Sequence, residues 1–150
     1  MQKNEKIIAV GNDHAGVKLK NEIIIHLESQ GYKVMNFGTN DSQEPTDYPI
    51  YAKEVSEAVL ENKADCGILI CGTGIGISIV ANKIKGIRCA ACSDPYSAML
   101  SKEHNDTNIL AFGARVISQG LAKMIVDTWL SAEFQGGVHS KRVSMIEDKN

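Results

Sequence analysis

The chain lacks an excess of charge of either sign. Its 150 residues carry 16 basic and 18 acidic side chains, a formal net charge of −2. The basic residues form no stripe, so a nucleic-acid partner is not expected: such proteins gather cations to neutralise phosphates. No apolar run approaches the roughly 20 residues that a membrane helix needs, so no membrane partner is expected either. The polar start, Met1-Gln2-Lys3-Asn4-Glu5-Lys6, leads only into the short run Ile7 to Val10. That is too little for the apolar region of a signal peptide, and no small-residue cleavage site follows. The cytoplasm is the expected location.

Metal motifs are scarce as well. There is no His-x-x-x-His, no pair of carboxylates at ligand spacing and no cysteine quartet, so no metal is expected. The four cysteines read as thiols rather than as a disulfide framework. Cys89-Ala90-Ala91-Cys92 is formally a C-x-x-C, but in a strand-like run its two side chains point to opposite faces. No repeat, low-complexity segment or linker divides the sequence. With 43% apolar residues, residues 1–150 suit a single domain with an ordinary core.

What is present is an alternation of strand and helix patterns. Residues 6–11, 33–37, 66–71, 88–92 and 108–112 read as strands. Residues 15–30, 49–62, 77–84, 95–103 and 118–134 read as helices. Gly31 closes the first helix, Pro49 opens the second, and Ser93 or Asp94 would cap the helix begun at Pro95. After Gly136-Gly137 comes a tail, residues 138–150, with room for one short helix. Five strand–helix units imply an α/β fold, a three-layer αβα sandwich around a five-stranded parallel, Rossmann-like sheet.

The most informative stretch is Ile70-Cys71-Gly72-Thr73-Gly74-Ile75-Gly76. An apolar strand ends in a cysteine, and three alternating glycines lead into a helix. Strand ends are where open α/β sheets bind ligands. Glycines let bare N–H groups approach a ligand, and the following helix adds its positive end. A thiol there sits in a field that favours thiolate. Gly-Thr-Gly-Ile-Gly is neither a G-x-G-x-x-G fingerprint nor a P-loop, so no nucleotide cofactor is implied. Asp13-His14, Ser93-Asp94 and Arg115 also fall just after strands and would share that edge. Taken singly, each has a plainer reading: Asp13 as a helix cap, His14 as a surface histidine, Cys71 as a buried core thiol. His104-Asn105-Asp106-Thr107-Asn108 is a second polar cluster, and a turn explains Asn105-Asp106 but not His104. Histidine is the usual acid or base near neutral pH, and Arg115 and Arg142, with His14, could clamp a phosphate. A thiol base, an oxyanion cradle, a histidine and phosphate-binding arginines suit proton abstraction beside a carbonyl in a phosphorylated small molecule.

Taken in order, these residues resemble the type-B ribose 5-phosphate isomerases, a family that includes allose and galactose 6-phosphate isomerases. The matching segments are Gly11-Asn12-Asp13-His14-Ala15-Gly16, Thr46-Asp47-Tyr48-Pro49, Cys71 to Gly76, Ser93 to Ala98, His104 to Asn108 and Phe112-Gly113-Ala114-Arg115. The resemblance implies interconversion of ribose 5-phosphate and ribulose 5-phosphate, a step of the pentose phosphate pathway, with no metal or cofactor. It implies Cys71 as the base, with Ile75 where a glutamate-base version would carry its acid. Gly72, Thr73, Gly74, Ile75 and Gly76 would hold the enediolate, and Thr73 and His104 would help open the sugar ring. Asp13, Tyr48 and Asn105 would contact the sugar, and His14, Arg115 and Arg142 the phosphate. It also implies a homodimer whose two chains share each site, with pairing into tetramers left open. One departure stands out: the family's Gly-Gly-Arg-His reads Gly136-Gly137-Val138-His139 here. That leaves Lys141 as a candidate substitute cation and the preferred sugar phosphate open.

Overall fold

The computed structural model describes residues 6–148; the polar start before Lys6 and the last two residues of the tail lie outside them. Five strands, β1 (Ile7–Asn12), β2 (Lys33–Asn36), β3 (Cys66–Cys71), β4 (Cys89–Ala91) and β5 (Ile109–Gly113), form one sheet in the order β2-β1-β3-β5-β4. Every pairing is parallel. The helices are α1 (Val17–Ser29), α2 (Tyr48–Leu60), α3 (Ile75–Asn82), α4 (Pro95–Asn105), α5 (Gln119–Ser131) and α6 (Val138–Glu147). None of them is long and apolar enough to cross a membrane.

The central strands carry apolar residues or glycine, apart from Asn12 at the end of β1, because both faces are covered. One face carries Ile8, Val10, Ile68, Ile70, Leu110 and Phe112 against α1, α4 and α5. The other carries Ala9, Leu69, Cys71, Ile109 and Ala111 against α2 and α3. The αβα sandwich and the single parallel sheet are as expected. Cys92 packs in the first cluster and Cys89 beside the second, so the C-x-x-C pair is indeed split across the sheet.

Several boundaries move for local reasons. Asp13 caps a 3₁₀ turn, His14–Gly16, so the first α-helix starts at Val17. α3 begins at Ile75, not 77, because Gly74 at φ +81° already turns the chain into it. α4 runs on to Asn105, where Asp106 ends it in a left-handed conformation at φ 49°. His104 and Asn105 therefore lie on a helix, not in a polar loop. α5 stops at Ser131, where Ala132 turns extended. β4 is only three residues long. On its open side the Asn82 side chain accepts from the Cys89 N–H at 2.8 Å and donates to the Cys89 carbonyl at 2.9 Å. The tail forms the helix α6, which packs on the end of α4.

Trp129 ties this second region together. It is fully buried, and its indole N–H donates to Thr107 Oγ1 at 2.9 Å, with Ser101 Oγ 3.0 Å from the same oxygen. Trp129→Phe removes that bond and part of the packing, which should cost about 1–3 kcal/mol. The check is a lower urea midpoint with an unchanged denaturant slope.

Candidate active site

The strand order reverses direction between β1 and β3, and the crevice beyond their carboxyl ends is the usual ligand position in open parallel sheets. β1 runs out into Asp13, whose Oδ1 accepts the Ala15 N–H at 3.0 Å. The capping reading of Asp13 thus holds for one carboxylate oxygen. His14 is tied to the loop between β2 and α2 twice. Its N–H donates to Thr46 Oγ1 at 3.2 Å, and its Nδ1 accepts the Thr46 N–H at 3.1 Å. An accepting Nδ1 leaves the neutral ring's hydrogen on Nε2, as a donor.

β3 ends at Cys71, and Gly72 to Gly74 turn the chain into α3. The Gly74 N–H donates to Cys71 Sγ at 3.2 Å, and the Ile75 N–H donates to Thr73 Oγ1 at 3.2 Å. The sulfur and the hydroxyl thus both sit at the positive end of α3. Tyr48, the first residue of α2, lies over the same loop: a Cβ on Gly76 would come within 2.6 Å of its ring. Arg115 covers Gly72, its Nη1 3.1 Å from where a Gly72 Cβ would be, and its N–H donates to the Gly72 carbonyl at 3.0 Å. Ile75 is exposed. Asp13, His14, Tyr48, Cys71, Gly72, Thr73, Gly74, Ile75, Gly76 and Arg115 are therefore gathered at one edge of the sheet.

His104, Asn105 and Arg142 are not with them. α4 leaves the edge at which β4 ends and runs back for 11 residues, about 16 Å at helical rise. His104 and Asn105 thus sit near the start of β5, one strand length, about 13 Å, from its Gly113 end. There His104 stacks on His139, the ring centroids 4.1 Å apart and the planes 7° off parallel. Burial first, then the neighbouring His104 and Arg142, lower the His139 pKa. Thr107 and Asn108 serve the fold: Asn108 accepts the Arg88 N–H at 2.8 Å and donates to the Gly86 carbonyl at 2.9 Å. Thr46 and His139 lie in segments that the resemblance covers, but those segments give neither a role, and only the fold shows Thr46 holding His14 and His139 stacking on His104.

A family model, Ribose/Galactose Isomerase, matches residues 8–146. The chain belongs to this isomerase family. Ribose-5-phosphate isomerase B of Escherichia coli (strain K12) is 58% identical over 141 residues, covering 94% of each chain. D-erythrulose-4-phosphate isomerase of Pectobacterium atrosepticum is 44% identical over 139 residues, covering 93% of this chain and 91% of its own. Among solved structures, ribose-5-phosphate isomerase B of Clostridium thermocellum superposes with a TM-score of 0.92 at 53% identity, covering 94% of this chain and 95% of its own. The resemblance drawn from the motifs is thus borne out at the level of the family, and the isomerase is of the aldose–ketose kind.

Three of the four cysteines are held protonated by burial. Burial pushes the thiols of Cys66 and Cys92 up to about 11 and that of Cys89 to about 12. At pH 8 each is then ionised in only about one molecule in a thousand or fewer. Cys71 should alkylate first with iodoacetamide, as read by peptide mass mapping. Faster modification of any of the other three would contradict this.

Proposed function

We propose that the protein interconverts ribose 5-phosphate and ribulose 5-phosphate, acting as a homodimer in the cytoplasm. The observation that carries this reading is the placement of Cys71 Sγ, at a strand end of an isomerase-family chain and accepting the Gly74 N–H at the head of α3. In the reaction His104, with Thr73 beside it, donates a proton to the ring oxygen while the anomeric hydroxyl gives up its own to water, and the sugar opens to the free carbonyl. The Cys71 thiolate then takes the proton from carbon 2, and the electron pair moves onto the carbonyl oxygen to give an enediolate. The O2 hydroxyl proton passes to O1 and the same sulfur returns its proton to carbon 1, which leaves the carbonyl on carbon 2 and a hydroxyl on carbon 1. The N–H groups of Gly72 to Gly76 stabilise the oxyanions, a contribution that grows in a site closed to water. Asp13, Tyr48 and Asn105 orient the sugar hydroxyls. His14, Arg115 and Arg142 hold the phosphate.

The separation of the two groups supports a shared site. A second copy, related by a two-fold axis, brings its His104, Asn105 and Arg142 to the Cys71 edge of the first, and the exchange is reciprocal. Exposed Ile75 and Ile79 on α3 and Val138, Met145 and Ile146 on α6 supply apolar surface near both groups.

A related substrate is favoured by one observation. Val138 stands at the head of α6, two turns or less from Arg142, where the family pattern has an arginine. With one clamp fewer on the phosphate, another sugar phosphate becomes a candidate, and the 44% identical relative acts, by its name, on a four-carbon ketose phosphate.

A turnover panel of four-, five- and six-carbon aldose phosphates, ranked by kcat/KM, decides between them. Ribose 5-phosphate should lead, and Cys71→Ala should lower its kcat by about a hundredfold or more, the usual worth of a positioned base. A variant retaining more than roughly a tenth of the activity would remove Cys71 from that role, since a base contributes more than this. Subunit mixing tests the shared site. Cys71→Ala and His104→Ala chains, each inactive alone, should on exchange recover about a quarter of wild-type activity, because half of the dimers then hold one intact site. Confirmed exchange without recovery would place both residues in one chain's site.

A further inference from the structure

Lys20 lies on α1 with no exposed surface. Its Nζ donates to Asn36 Oδ1 at 3.2 Å, to the Thr39 carbonyl at 2.9 Å and to Asn40 Oδ1 at 2.6 Å. Three ammonium hydrogens meet three oxygens, and none of the three belongs to a carboxylate. Burying a cation among neutral acceptors is unfavourable, and burial lowers its pKa accordingly. A methionine or leucine would fill the same space without that cost. Its charge must therefore do something that packing does not.

What it does is gather one stretch of chain. All three acceptors lie within residues 36–40, the root of the loop that joins β2 to α2. The Thr39 carbonyl it holds also takes a hydrogen bond from Asn12 Nδ2 at 3.1 Å, and the Thr39 N–H donates to the Asn12 carbonyl at 3.2 Å. Asn12 Nδ2 also donates to the Asp13 carbonyl at 2.9 Å. The far end of the loop is the Thr46 that grips His14, and Tyr48 follows two residues on. Between its two anchors the loop is exposed and bonded mainly to itself, through Asp41 to Gln43 and Glu44.

We propose that Lys20 is a positioning residue for the isomerisation: its buried ammonium fixes the root of the loop whose far end orients His14 and Tyr48, and through Asn12 it steadies Asp13. This rests on the reading of Asp13, His14 and Tyr48 as substrate contacts. The thiol lies outside this network, on β3. Losing Lys20 therefore loosens substrate binding and spares the proton transfer.

The test is kinetic, on the full-length protein with ribose 5-phosphate, well below the thermal midpoint of each variant. Lys20→Met should raise KM about tenfold or more and change kcat by less than about threefold, the pattern of lost uniform binding. Its rate of Cys71 alkylation should match that of the wild type. Asn40→Ala, on the exposed loop where unfolding is not a concern, removes the shortest contact and should raise KM by about threefold, again with kcat held. Combined with Lys20→Met it should add little, because both act through one network. A wild-type KM in Asn40→Ala, or in folded Lys20→Met, overturns the proposal. So does a parallel fall in kcat and in Cys71 alkylation, which marks a general scaffold role. Wild-type protein inactive on every aldose phosphate would instead defeat the functional reading on which the proposal stands.

Discussion

The turn at Gly74 is pressed against the backbone of β5. A side chain there would come within 2.6 to 3.0 Å of the main chain of Phe112, and its φ of +81° lies where only glycine is at ease. β3 and β5 are paired up to Cys71 and Gly113, so the chain has to leave the sheet with no room to spare. The first N–H groups of α3 then have one direction to point. One meets the cysteine sulfur and the next the Thr73 hydroxyl. The candidate site's edge is thus a product of close packing in the middle of the sheet, where interiors transmit strain and tolerate little change in volume. Tyr48 and Arg115 then lie over the loop, in space that the missing side chains of Gly76 and Gly72 leave clear.

Strands and helices were legible because each has its own period, and the apolar runs at 66–71 and 109–113 are buried along their whole length. The edge shared by Asp13, Cys71 and Arg115 was legible too, since in a parallel sheet every strand ends on the same side. The placement of His104 was not. Five polar residues before a strand look like one cluster, yet the helix carries His104 and Asn105, while Thr107 and Asn108 turn inward to Trp129 and Arg88. Such sorting depends on which side of a turn each residue faces, and composition is silent on that. The strand order was equally silent, because connections of similar length serve either neighbour. Lys20 is the clearest case of a hidden role. On an amphipathic pattern it is one more charge on a helix, and only the fold shows that the loop after β2 closes over it.

The two halves of the candidate site differ in how they are held. The Cys71 half is built from main chain and glycine, stiff and adapted to place N–H groups. The His104 half is built from side chains stacked on side chains, His104 on His139, above a core that Trp129 and Thr107 lock in place. Main-chain dipoles stabilise charge without reorganising, which suits an oxyanion.

The short outer strand β4 has a bearing on how copies of this chain can meet. An unpaired strand edge is a template for fusing sheets from neighbouring molecules, the first step toward aggregated β-structure. Here the Asn82 amide satisfies both outward groups of Cys89, so of three strand residues only Ala91 still offers an outward-facing N–H and carbonyl. Sheets cannot zip together through so little. Association through this flank has to be made by helix faces and side chains, which can be matched to one orientation. A continuous backbone ladder would accept a strand in several registers.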